Sequence, residues 1–144
     1  MARTLVMIAC CAGKDHNPIP MPAVNRYTST LFQLSLTYAR EVVGVDDRDI
    51  FILSAKHGVL RSTDLILDYN ESLVGATRQQ RKTWARRVLE AWPAEVGDRL
   101  VYLAGAVYRR DLPPGEAPMA GLPIGRQLQF LTNEVARVRQ QSIA

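Results

Sequence analysis

Apolar positions along the chain alternate between two periods. Arg3 to Cys11 (RTLVMIACC) is a β-rich apolar run and predicts a first strand. The following stretch, AGKDHNPIPMPAVNRYTST, holds three prolines and no helical period, so it reads as a loop of nearly 20 residues. Loops that long in a small domain are usually functional or disordered. From Leu31 to Val43 the apolar residues Leu31, Leu34, Tyr38 and Val42 keep a three-to-four spacing, which predicts a helix. Thr28 to Thr30 offer N-cap hydroxyls and Gly44 a stop.

Asp49 to Ser54 predicts a second strand. It breaks into Ser54, Ala55, Lys56, His57 and Gly58, and the chain turns apolar again at Val59 and Leu60. Residues 61–76 are irregular, with acids at 64, 68 and 71 and room for a short strand at Leu65 to Leu67. Thr77 opens a second helix, and Gln80 three residues later completes a capping box. Its apolar stripe is Trp84, Val88, Leu89 and Trp92, and Pro93 ends it. Arg78, Arg81, Lys82, Arg86 and Arg87 form its outer face, either a solvated surface or a phosphate-tracking one. Arg99 to Ala104 predicts the third strand. After a Pro-Pro-Gly turn, Ile124, Leu128, Leu131, Val135 and Val138 mark a last helix.

Strand and helix thus alternate three times. That order predicts an α/β fold: a single three-layer domain over residues 1–144, with a mostly parallel central sheet and helices on both faces. The length suits one core, and 47% hydrophobic with 22% charged residues is ordinary for a globular protein. No apolar run approaches the roughly 20 residues of a membrane span, so no membrane partner is expected. The first residues read better as a strand than as a signal sequence, and a cytoplasmic location is expected.

Cys10 and Cys11 are adjacent, a geometry that rarely bridges, and with two histidines in the chain they complete no zinc pattern. No metal and no cofactor is expected. The formal charge of +4 comes almost wholly from arginine, because lysine occurs only at 14, 56 and 82. Such an excess suits an anionic partner, a nucleotide or nucleic acid.

In an open parallel sheet, ligands bind beyond the carboxyl ends of the strands. The first predicted strand ends in Cys10, Cys11, Gly13, Lys14, Asp15 and His16, the second in Ser54, Lys56, His57 and Gly58, the third in Gly105, Tyr108, Arg109 and Arg110. Polar and small residues from three distant segments therefore meet at one edge. Lys14 and Lys56 can serve as phosphate anchors or nucleophilic amines, or stand in solvent. His57 can act as a general base or bond a backbone carbonyl. Gly58 supplies a positive φ or a close backbone approach. Cys10 is a small buried hydrophobe or a nucleophile. Gly125 exposes N–H groups to an anion, or simply begins a helix. The spacing matches no P-loop, no dinucleotide fingerprint and no nucleophile elbow.

A set of ordered motifs carries a family resemblance. They are Cys10 to Lys14, Arg26 to Phe32, Ile52 to Leu60 (ILSAKHGVL), Tyr69 to Leu73, Trp84, Leu103 to Tyr108 (LAGAVY) and Gly121 to Leu131 (GLPIGRQLQFL). In this order they resemble the bacterial and phage domain-of-unknown-function family 6884, over nearly the whole chain. The chain departs from that pattern at Cys11, where serine is expected, and at Gly13, where a basic residue is expected. His57 stands where an aromatic residue is also common. More loosely, the segments resemble uracil-DNA-glycosylase-like domains and the base-modification domain of archaeosine synthase, a likeness that implies nucleobase chemistry.

Two functions fit. One is an enzyme acting on a nucleobase, nucleoside or nucleotide, at the N-glycosidic bond or on the base itself. Tyr27 or Phe32 would stack on the base, and Lys14, Lys56 or Arg109 would hold phosphate. Asp68 or Glu71 would stabilise an oxocarbenium-like centre. Ser54 and Gln127 would bond base edges, with Gly105, Tyr108 and Gly125 completing the wall. The other is a non-catalytic nucleic-acid-binding module that uses the arginines of the second helix with Arg109, Arg110 and Arg126.

Overall fold

The computed structural model describes residues 2–9 and 14–143. Its order is β1 (Thr4–Ala9), β2 (Met21–Pro22), α1 (Ala23–Arg26), α2 (Thr30–Tyr38), β3 (Ile50–Ser54), β4 (Gly58–Arg61), β5 (Leu65–Ile66), α3 (Arg78–Glu90), β6 (Arg99–Leu103), α4 (Ala106–Arg109) and α5 (Ile124–Ile143). The main sheet runs β4-β3-β1-β6. β1 is central and parallel to both neighbours, with Ile8 between Ile52 and Leu103. β4 lies antiparallel to β3. The fold is therefore α/β with a mostly parallel sheet.

Strand side chains alternate between faces, and the two faces bury different sets. Val6, Ile8, Ile50, Ile52, Val101 and Leu103 pack under α2 and α5, against Phe32, Leu36, Leu131 and Val135. Leu5, Met7, Phe51, Leu53 and Tyr102 pack on the opposite side, against Trp84, Ala85 and Val88 of α3. A strand covered on both faces has no polar side to show, which explains the continuous apolar run of β1.

Several elements differ from the sequence pattern. The predicted helix over 31–43 starts at Thr30 and changes after Tyr38 into a π-helical turn, Ala39–Val43, closed by Gly44 at φ +84°. Val59 and Leu60 belong to β4, whose four residues are too few to show a period. The sequence SAKHG is thus a hairpin connection: Ser54 pairs with Gly58, which takes φ +78°. The α3 stripe rotates to Trp84, Ala85 and Val88, and Leu89 is exposed. The capping box forms as the spacing predicts: Thr77 Oγ1 accepts from Gln80 N, and Gln80 Oε1 accepts from Thr77 N. Ile124 begins α5 in the exposed state, while Leu131 and Val135 of that helix are buried.

Two features close the domain. Residue Glu116 bridges the open side of β6: its carbonyl accepts from Tyr102 N and its own N–H donates to Leu100 O. The short ribbon of β2 and β5 covers the loop after β1. That loop is held by Arg26, a fully buried arginine that donates to the carbonyls of Asp15, Asn17, Ile19 and Ile66. Among the described residues, no helix is long and apolar enough to cross a membrane.

Candidate functional site

The chain leaves β1, crosses to β3 on one side, and returns through α3 to place β6 on the other side. The switch in direction lies between β1 and β6, where an open α/β sheet leaves a crevice at its carboxyl edge. A cavity of about 420 Å³ occupies that place. Ala9 and Leu103 end the two strands there, Leu31, Met119 and Leu122 supply apolar walls, and Arg109 and Gln127 supply the polar functions. Gly105, Tyr108 and Ser35 complete the lining. The volume lies within the usual range for small-molecule sites.

Both polar side chains are pre-positioned by backbone. Arg109 Nε donates to Ala104 O at 3.2 Å, which leaves the two terminal nitrogens of the guanidinium for another acceptor. Gln127 Nε2 donates to Leu122 O at 2.8 Å, which fixes the amide and leaves its oxygen as an acceptor. Nothing lies within 4 Å of where a Cβ would stand on Gly105, so the glycine leaves the β6 end of the cavity open.

On the β3 side of β1, three hydroxyls form a buried chain. Ser54 Oγ donates to the Tyr69 hydroxyl at 2.8 Å, and the Tyr69 and Tyr27 hydroxyls are 2.5 Å apart. Ser54 Oγ also accepts from His57 N at 3.1 Å, and Ser54 O accepts from Trp84 Nε1 at 2.8 Å. The strand end is therefore tied to the hairpin turn and to α3 at once. The His57 ring stands edge-on to Tyr69, with centroids 5.2 Å apart. Lys14 Nζ lies over the same Tyr69 ring, 4.8 Å from its centroid. Burial pushes His57 below the ordinary imidazole range, and the charges of Lys56 and Arg87 push the same way, against Glu71.

The structure redistributes the other predicted residues. Lys56 is exposed on the hairpin turn, where its carbonyl and that of Ala55 accept from Arg87. Asp68 pairs with His16, Oδ2 to Nδ1 at 2.9 Å, and that bond lowers its carboxyl below the usual range. Glu71 lines a second, more open cleft of about 680 Å³ between the 70–76 loop, the end of β3 and α3, together with Asn70, Gln79, Thr83 and Arg87. Neither acid lines the cavity between β1 and β6.

Tyr27 and Phe32 do not offer a stacking surface: both are fully buried, and their rings pack on each other at 5.1 Å. They are core residues, and the hydroxyl chain is the polar contribution of Tyr27. Ser54 is likewise fully buried and organises the strand end without reaching a base edge. Gly58 is buried, and its role is the positive φ of the hairpin. Tyr108 is mostly buried, packs edge-on against Trp84 and accepts weakly from Leu73 N. Gly125 is exposed in the first turn of α5. Cys10 and Cys11 lie outside the described residues. The buried clamp of Arg26 has no signature in the sequence, where an arginine is read as a surface residue.

The chain matches the model of a family of unknown function, DUF6884, over residues 5–133. It belongs to that family. No curated protein and no solved structure matches it. The DUF6884 match covers β1 through most of α5 and therefore contains the whole carboxyl edge of the sheet. It carries no activity with it, and the looser likeness to glycosylase-like domains is not shown.

Proposed function

We propose that this protein is an enzyme acting on a small nucleobase-containing molecule, with the base seated in the cavity between β1 and β6. One observation carries the reading: a cavity at the switch point of the sheet that is apolar on its walls and holds one guanidinium and one amide. Apolar walls suit a flat heterocycle, and Gln127 and Arg109 suit its hydrogen-bonding edge. Across the end of β1, His57 and Lys14 add an imidazole and an amine to the same edge of the sheet. Among the described residues, no carboxylate lines this cavity. Modification of the base therefore fits the lining better than carboxylate-assisted cleavage of a glycosidic bond.

The test is thermal shift with nucleobases, nucleosides and nucleotides on wild type, Gln127→Ala and Arg109→Ala. A ligand at a hundred times its Kd stabilises the fold by about 2.7 kcal/mol, several degrees at this size. A shift that both substitutions reduce supports the site. No shift with any of these ligands, or one indifferent to both substitutions, overturns it.

A second reading has its own observation. Arg78, Lys82 and Arg86 stand four residues apart on the exposed face of α3, and none forms an ion pair among the described residues. Three such cations can track a phosphate backbone. Binding of an oligonucleotide through them would weaken with salt, with a log–log slope of about −2 to −3.

A further inference from the structure

Two basic side chains from distant segments converge on one aromatic ring. Lys14, from the loop after β1, sets its Nζ over the Tyr69 ring, and His57, from the β3–β4 hairpin, sets its imidazole perpendicular to that ring, with centroids 5.2 Å apart. Tyr69 is held in place by two hydroxyl contacts, to Ser54 and Tyr27. Arg87 reaches the same turn from α3 and bonds the carbonyls of Ala55 and Lys56 at 3.1 and 2.7 Å. Neither Lys14, Lys56 nor Arg87 has a carboxylate partner among the described ion pairs. Glu71 is the one acid that acts on His57. Asp68, one residue before Tyr69, is engaged by His16.

Lys14 and His57 thus flank a fixed ring, Lys56 and Arg87 lie on or against the adjoining turn, and these basic groups outnumber Glu71. We propose that Lys14 and His57, held by their contacts with the Tyr69 ring, form an anion subsite beside that ring that takes a phosphate group of the ligand. Lys14 and Lys56 contribute point charges, and His57 contributes a ring N–H as donor. A phosphate dianion suits this density of donors better than a single carboxylate.

The subsite deepens the proposed function and rests on it for the rest of the ligand. β3 and β6 flank β1, two inter-strand spacings apart, or about 10 Å. A nucleotide spans that distance between its base and its phosphate, whereas a free base does not. The substrate class is therefore a nucleotide, free or within a nucleic-acid strand, rather than a base or nucleoside.

Calorimetry at matched ionic strength tests this with pyrophosphate, a nucleoside, its 5′-monophosphate and a short single-stranded oligonucleotide. The proteins are wild type, Lys14→Gln, Lys56→Gln and, as a surface control on α5, Arg137→Gln. Lys56 is exposed, so its variant keeps the test valid should Lys14→Gln fold poorly. The monophosphate should bind roughly tenfold or more tightly than the nucleoside, with that advantage lost in Lys14→Gln and reduced in Lys56→Gln. Nucleoside affinity should stay unchanged in both. Pyrophosphate binding lost in Lys14→Gln, with no nucleoside binding anywhere, supports the subsite while removing the base pocket. Oligonucleotide binding alone, lost in Lys14→Gln, supports the subsite and assigns its phosphate to a strand. Equal affinity for nucleoside and monophosphate overturns the subsite and leaves the base pocket standing. Loss of affinity in Arg137→Gln equal to that in Lys14→Gln also overturns it, as does no binding of any phosphate-bearing probe.

Discussion

Trp84 donates its indole N–H to the carbonyl of Ser54 at 2.8 Å, so the last residue of β3 is fixed from the helix layer beneath it. Ser54 in turn holds the His57 N–H and the Tyr69 hydroxyl through its own side chain. The geometry of the proposed anion subsite therefore depends on one indole. Trp84→Phe keeps the apolar packing and the edge-on contact with Tyr108 but removes the donor. It should cost about 1–3 kcal/mol in urea unfolding and weaken binding of a phosphate-bearing ligand. Unchanged stability would mean that the Ser54 carbonyl does not need the indole.

Two glycines should respond in opposite directions to alanine. A Cβ on Gly115 would meet both the carbonyl oxygen and the Cβ of Leu100 at 2.8 Å, and Leu100 is backbone of β6. Gly115→Ala should push Glu116 off the sheet edge and destabilise by about 1–3 kcal/mol. Gly125 has open space around it and lies in the first turn of α5. Gly125→Ala should stabilise by about 0.4–1 kcal/mol. Denaturant midpoints of the two variants check both signs. A stabilised Gly125→Ala that also binds its ligand less well would place Gly125 in the recognition surface.

Arg26 is the only basic side chain that is fully buried among the described residues, and it meets no carboxylate. Four carbonyls from two segments take its charge instead. Arg26→Met should cost at least about 3 kcal/mol, since bonds to a charged donor contribute about 1.5–3 kcal/mol each. The loop at 15–19 should also become sensitive to limited proteolysis. Arg26→Lys should rescue little, because one ammonium cannot reach four carbonyls in a planar fork. Intact protease resistance in Arg26→Met would show that the ribbon of β2 and β5 holds the loop by itself.

The alternation of strand and helix was legible because each buried strand is long enough to show its apolar run and each helix long enough to show its period. The capping box at Thr77 and Gln80, the stop at Gly44 and the positive φ at Gly58 were legible because each answers a local backbone need. β4 was not, since GVLR is shorter than two periods of alternation. Side chains that depend on tertiary rotation were the harder part. Tyr27 sits in a stretch that reads as a loop, and Phe32 lies off the apolar stripe predicted for the first helix, yet the end of α1 and the first turn of α2 bury both. The strand-end rule located the carboxyl edge. It did not show that Asp68 would be taken by His16, or that Glu71 would face a different cleft. Those partners are set by the path of the 61–76 segment, which carries no period.

The lowered protonation of His57 has a definite sign in stability. Burial is the first cause, reinforced by Lys56 and Arg87 and opposed by Glu71. The unfolded chain then binds a proton at His57 at a higher pH than the folded chain does. Between the ordinary imidazole value near 6.5 and the lower folded value, unfolding takes up a proton, so stability falls as pH falls through that window. The depressed carboxyls of Asp47, Asp68 and Asp98 lose their contribution only further into the acid range. Urea midpoints at about pH 7.5, 6.5 and 5.5 should therefore decline in wild type and flatten in His57→Gln. Added phosphate should oppose the decline, because an anion between Lys14 and His57 favours the protonated imidazole. A wild-type midpoint independent of pH across this range would show that His57 is as free to protonate in the fold as in the open chain.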